Sequence, residues 1–148
     1  MTKLPKTIAY KGYNIPTGAT ANDKNQRRLM IADFYKKWIG ENGEKKVKND
    51  ELKQFIYVNK LSRKKTMNEA CNTFRSTLTI LELSYVLKHA VKVGRSDPKD
   101  NKNQKIFHDM FIMECVVPKL RPYVTTAKLT VGVIRHGNRK LQYCLTAK

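Results

Sequence analysis

The strictest constraint on how this chain can fold is a period-two alternation near its C-terminal end. Ala127-Lys128-Leu129-Thr130-Val131-Gly132-Val133 alternates apolar with polar or small residues. After a break at His136-Gly137-Asn138 the alternation resumes through Leu141-Gln142-Tyr143-Cys144-Leu145-Thr146. Successive side chains of a strand point to opposite faces, and a Gly-Asn break between two such runs favours a tight turn, so the segment predicts a β-hairpin. Regular alternation puts Leu129, Val131, Val133, Leu141, Tyr143 and Leu145 against a core. It puts Lys128, Thr130, Gly132 and Gln142 on the other face. From Cys115 to Lys148 there is no Asp or Glu, against seven Lys and Arg. The open face of the hairpin is therefore expected to be cationic and rich in hydrogen-bond donors, which suits a phosphate backbone.

Upstream the period changes. Asn22 or Asp23 is placed to cap a helix reaching about Ile39, with Ile31, Phe34, Tyr35 and Trp38 at i, i+3, i+4 and i+7 and Gly40 to end it. Trp38 on that stripe is a core residue. Glu41 to Asp50 is a polar loop, and Phe55-Ile56-Tyr57-Val58 fits either a strand or a buried helix. Thr66-Met67-Asn68-Glu69 has the spacing of a capping box, followed by Ala70, Cys71 and Phe74 at helical offsets. Leu83, Val86, Leu87 and Ala90 continue a helical stripe that stops near Gly94. Arg95 to Lys105 is a loop by composition, and Ile106 to Val117 a strand bounded by Pro118. Helices followed by about three antiparallel strands make an α+β class: N-terminal helices packed on a small antiparallel sheet ending in a C-terminal β-hairpin. The 148 residues suit one domain. Residues 1–22 form an arm or edge strand, 23–49 a helix and loop, and 50–147 an α+β module.

The net charge of +18 restricts the partners. Distributed Lys and Arg bind polyanions by counterion release, so nucleic acid is the leading partner; an acidic inhibitor or acidic host protein is the other. No apolar run approaches the ~20 residues of a membrane span, and the basic start Met1 to Lys6 lacks the apolar stretch of a signal peptide. Cys71, Cys115 and Cys144 are odd in number and widely spaced, as expected of free thiols in a reducing, cytoplasmic protein. Neither a metal signature nor a glycine-rich phosphate loop is present, so no metal or cofactor is expected.

Several residues are candidates for chemistry. Lys60, Arg63, Lys64 and Lys65 precede the Thr66 box and could clamp phosphate at a helix N-terminus. Arg95 and Lys102 flank a loop rich in Asn and Gln, and Arg135, Arg139 and Lys140 surround the hairpin turn; all are of the type that contacts nucleic-acid backbone. Carboxylates are too scarce for a two-metal nuclease. Cleavage of RNA, with its 2′-hydroxyl attacking the adjacent phosphate, would need a base, an acid and groups to meet developing charge. His108, Lys128, Thr130 and Gln142 are the right types, which favours RNA over DNA.

The helices, the basic loop, the strand and the two runs Lys128 to Val133 and Leu141 to Thr146 resemble the C-terminal module of mobile-element and phage-associated proteins similar to the barnase/EndoU/colicin/RelE-like nuclease superfamily. The resemblance spans about Asp50 to Ala147. It implies a four-stranded sheet behind two helices and metal-independent RNA cleavage on the open sheet face. Lys128, Thr130 and Gln142 take the strand positions, with Arg95 and His108 added by location. Two alternatives stay open. One is a winged-helix-like DNA-binding protein, with the hairpin as wing and Thr66 to Arg75 as recognition helix. The other is an interaction protein of phage or plasmid type that binds an acidic host partner.

Overall fold

The computed structural model describes residues 4–43 and 45–148; the start Met1-Thr2-Lys3 and Glu44 of the expected 41–50 loop lie outside the described residues. Within the segment expected as an arm or edge strand, β1 (Thr7–Tyr10) and β2 (Tyr13–Pro16) form an antiparallel hairpin separate from the main sheet. Helix α1 (Ala21–Asn42) begins at Thr20, whose hydroxyl accepts the Asp23 N–H, and ends at Gly43. Gly40 lies inside it, because a glycine weakens a helix interior by about 1 kcal/mol but does not stop it. Trp38 and Tyr35 are buried as the apolar stripe requires.

The expected 41–50 loop is partly strand: β3 (Lys46–Asn49) pairs antiparallel with β4 (Gln54–Tyr57). Helix α2 (Lys60–Ala70) is capped by Asn59, which exchanges hydrogen bonds with Ser62, so the basic run occupies its first turns. Thr66 and Glu69 are interior to α2 and cap nothing. Helices α3 (Phe74–Ile80) and α4 (Leu83–His89) lead to β5 (Val91–Arg95), which contains Gly94. Then come β6 (Phe107–Cys115), β7 (Ala127–Ile134) and β8 (Lys140–Ala147).

The fold is α+β. Among the described residues the main sheet has six strands in the order β3-β4-β8-β7-β6-β5, antiparallel except where β4 meets β8. It is wider than the four strands the resemblance implies. The β7–β8 hairpin is central in it, so it cannot be a protruding wing, and the stretch proposed as recognition helix is broken between α2 and α3. No helix among the described residues is long and apolar enough to cross a membrane.

The helices cover one face of the sheet, over Phe111, Met113, Leu129, Val131 and Leu145. On β8 the strict alternation fails. Thr130 pairs with Cys144 but Val131 pairs with Gln142, leaving Tyr143 as an extra residue. One inserted residue exchanges the two faces. Gln142 therefore faces the helices, fully buried, where its Nε2 donates to Thr66 Oγ1 at 2.9 Å and Tyr35 Oη at 3.0 Å. Leu141 and Tyr143 move to the far face and form a second small core with Phe107 and Met110. The segment between β5 and β6 lies against it, Gln104 Nε2 donating to Tyr143 Oη at 3.3 Å.

Gly132 is the tight point of this second core. A Cβ there would stand 2.5 Å from the Phe107 ring. Gly132→Ala is expected to cost about 1–3 kcal/mol by overpacking. A circular-dichroism melt should show a midpoint lower by roughly 3–10 °C. An unchanged midpoint would mean the ring has room to move.

Candidate nucleic-acid interface

Two helices build a strongly cationic concavity. On α1, Arg28, Ala32, Tyr35, Lys36 and Ile39 recur at helical spacing along one side; on α2, Lys60, Arg63, Lys64 and Met67 do the same. Facing each other, they enclose a groove of about 600 Å³. Its floor is apolar (Ala32, Ile39, Met67), and its rim carries five cations and no carboxylate. None of the five forms an ion pair among the described residues. Walls of one sign with an apolar floor concentrate the field and draw in anions. The Tyr35 hydroxyl below the floor is already hydrogen-bonded, and burial pushes its pKa up to about 12, so it stays neutral.

Helix α2 is a ridge with a second, smaller cleft on its other side. Lys64, Lys65, Asn68 and Glu69 line it together with Lys102 and Asn103 of the β5–β6 loop. Lys64 belongs to both clefts. Lys65 is partly neutralised by Glu69 at 3.1 Å.

The remaining expected residues are spread over the sheet. Arg95 pairs with Asp109 at 2.8 Å, and that hydrogen bond holds the Asp109 carboxyl below the usual carboxylate range. Arg135 donates to the Lys105 carbonyl, Lys140 to the Asn138 carbonyl, and Arg139 lies over the Tyr57 ring. His108 is the extra residue of a bulge on β6, exposed, its Nε2 2.7 Å from Asn138 Oδ1 at the hairpin turn. Lys128 pairs with Glu114, six residues further along β6. At strand spacing that puts His108 and Lys128 about 20 Å apart. Thr130 shares the open face with Lys128, whereas Gln142 is buried on the opposite one. That open face is not uniformly cationic either: Glu114 stands directly across from Lys128, and Val91, Val93 and Val116 are exposed near it. Burial raises the thiol of Cys144, the cross-strand partner of Thr130, to about 11.

Arg28 and Lys36 were not among the sequence candidates. The signal for them was the repeat Arg28, Ala32, Lys36, one turn apart on a face next to the apolar stripe.

Fold and groove together define a small basic α+β domain with an acid-free cationic cleft in its helical layer. Residues 22–141 match the family "Large polyvalent protein-associated domain 3", and the chain belongs to it, a phage- and mobile-element-associated domain. The match takes in α1 and so starts well before the Asp50 boundary of the module drawn from sequence. No curated protein and no solved structure matches the chain.

Proposed function

We propose that this domain binds nucleic acid for phage and mobile-element proteins, gripping the phosphate backbone in the α1–α2 groove without cleaving it. The observation that carries the reading is the groove rim itself: Arg28, Lys36, Lys60, Arg63 and Lys64, with no acid among the lining residues. Five phosphates neutralised there would release their counterions, giving a log–log salt slope of about −4.5 for a duplex and about −3.5 for a single strand. Affinity should then fall roughly a hundredfold for a single strand and several hundredfold for a duplex between 50 and 200 mM salt. A salt-insensitive affinity, or retention of acidic proteins but of neither nucleic acid, would overturn it.

The positions of the candidate groups favour binding over cleavage. Attack by a 2′-hydroxyl needs its base, acid and charge-stabilising groups around a single phosphate. His108 and Lys128 stand about 20 Å apart along the sheet, and Gln142 is committed to Thr66 and Tyr35. A labelled RNA pool incubated with the protein in EDTA is expected to remain intact. Cleavage that disappears in the Lys128→Ala plus Thr130→Ala variant would instead establish a metal-independent ribonuclease on the hairpin face.

A further inference from the structure

We propose that the face of the β3–β4 hairpin opposite Asn49 and Ile56 is a base-stacking platform for single-stranded nucleic acid. This rests on the nucleic-acid reading above and adds the part of the ligand that the groove does not address. In the antiparallel register Lys46 lies opposite Tyr57 and Lys48 opposite Phe55. Alternation sends Asn49 and Ile56 toward the helices, where both are buried, Asn49 donating to the carbonyls of Leu87 and Ala90. Lys46, Lys48, Phe55 and Tyr57 consequently share the opposite face. Neither strand contains an Asp or Glu.

Phe55 is 40% exposed, uncommon for a large aromatic ring, and belongs to neither core. Cations accompany both rings. Lys46 Nζ is 4.4 Å from the Phe55 centroid and 5.6 Å from that of Tyr57, and the Arg139 guanidinium carbon is 4.9 Å from Tyr57. Two residues apart on one strand, the rings are spaced by about 7 Å, a separation that lets each receive one base of an extended strand. Rings offer a face to any base, and interleaved Lys and Arg track the phosphates; this is the combination that single-strand binding uses. A duplex hides its base faces and can engage only the charges. Tyr57 also packs against the second small core, as does Leu61 of α2. That connects the platform to the helix whose other side lines the groove.

The test is fluorescence anisotropy with a labelled oligouridylate and with a duplex of the same length, on wild type, Phe55→Ala, Phe55→Trp and the groove variant Arg63→Glu/Lys64→Glu. Phe55→Ala should lose roughly 5- to 100-fold in single-strand affinity, keep its duplex affinity, and melt like the wild type. Phe55→Trp should retain single-strand binding, and its indole emission should be quenched on saturation; Trp38 is buried and contributes a constant background. Wild-type affinity in Phe55→Ala, with loss confined to the groove variant, would overturn the platform and leave the groove reading standing. Failure of the wild type to bind either form would overturn both.

Discussion

Replacing Arg63 and Lys64 together by glutamate is expected to lower affinity for a short RNA by roughly two to three orders of magnitude at low salt. The salt slope should also become shallower by about 2, one for each lost phosphate contact. The two residues were chosen for their places on the ridge. Arg63 lines the main groove, and Lys64 lines both clefts. Reversal adds repulsion to the loss of attraction, and it does so between walls that already concentrate the field. The fold should survive, because neither side chain has an ion-pair partner among the described residues and both stand in the first half of a helix that Asn59 caps. Glutamate is in fact the better charge near a helix N-terminus. Lys119→Glu with Arg121→Glu supplies the control: both are exposed, both belong to the turn between β6 and β7, and the change in net charge is the same. If the control pair weakens binding as much as the groove pair, affinity follows net charge alone and the groove has no special part. Equilibrium binding at several salt concentrations, with melts of all three proteins, decides between them.

The sequence makes some of this architecture plain and hides the rest for identifiable reasons. The β7–β8 hairpin is legible because alternation and a Gly-Asn turn are local signals, and the α1 stripe is legible because Ile31, Tyr35 and Trp38 all have to be buried together. The face of Gln142 is not legible. It depends on the bulge at Tyr143, and a bulge is decided by what the strand meets: Thr66 and Tyr35 on one side, Phe107 and Met110 on the other. A polar residue in an alternating strand looks solvent-facing until a helix offers it partners. Strand β3 reads as loop in the sequence because four residues, two of them lysine, give too short a pattern to separate from a charged turn. The groove was half visible. Lys60, Arg63 and Lys64 stand out as a run, but that Arg28 and Lys36 complete the rim is a fact about which sides of α1 and α2 face each other. The four residues proposed for catalysis were chosen by type. Type says nothing about the distance between His108 and Lys128, which strand pairing alone determines.

Arg27→Met is expected to destabilise the protein by roughly 3–5 kcal/mol, because several buried carbonyls lose their donor at once. The corresponding fall in melting temperature is about 10 °C or more. Arg27 is wholly buried and carries a charge, yet among the described residues no carboxylate hydrogen-bonds to it. Its guanidinium reaches backbone oxygens instead: Nε donates to Cys71 O at 2.8 Å, Nη1 to Pro16 O at 2.8 Å and Gly18 O at 2.7 Å, and Nη2 to Asn72 O at 3.4 Å. Burial pulls its pKa down, but an arginine starts so high that it stays protonated at neutral pH. One side chain thereby joins the end of the β1–β2 hairpin, the start of α1 and the turn that closes α2. Methionine matches the length and fills the space but donates nothing. Lysine keeps the charge, but its compact ammonium lacks the planar fork and cannot reach carbonyls on both sides, so Arg27→Lys should fall between wild type and methionine. Arg27 also neighbours Arg28 on α1 and bonds the carbonyl of Cys71, the residue that ends α2, so it fixes the spacing of the two groove walls. Measured well below its lowered melting point, Arg27→Lys should therefore bind RNA more weakly than wild type, with an unchanged salt slope since every phosphate-contacting cation is still present. A slope that fell with the affinity would place Arg27 among the phosphate contacts, and its burial rules that out. A melt indistinguishable from wild type would show that the four carbonyls find other donors, and the account of Arg27 as the tie between the groove walls would have to be abandoned.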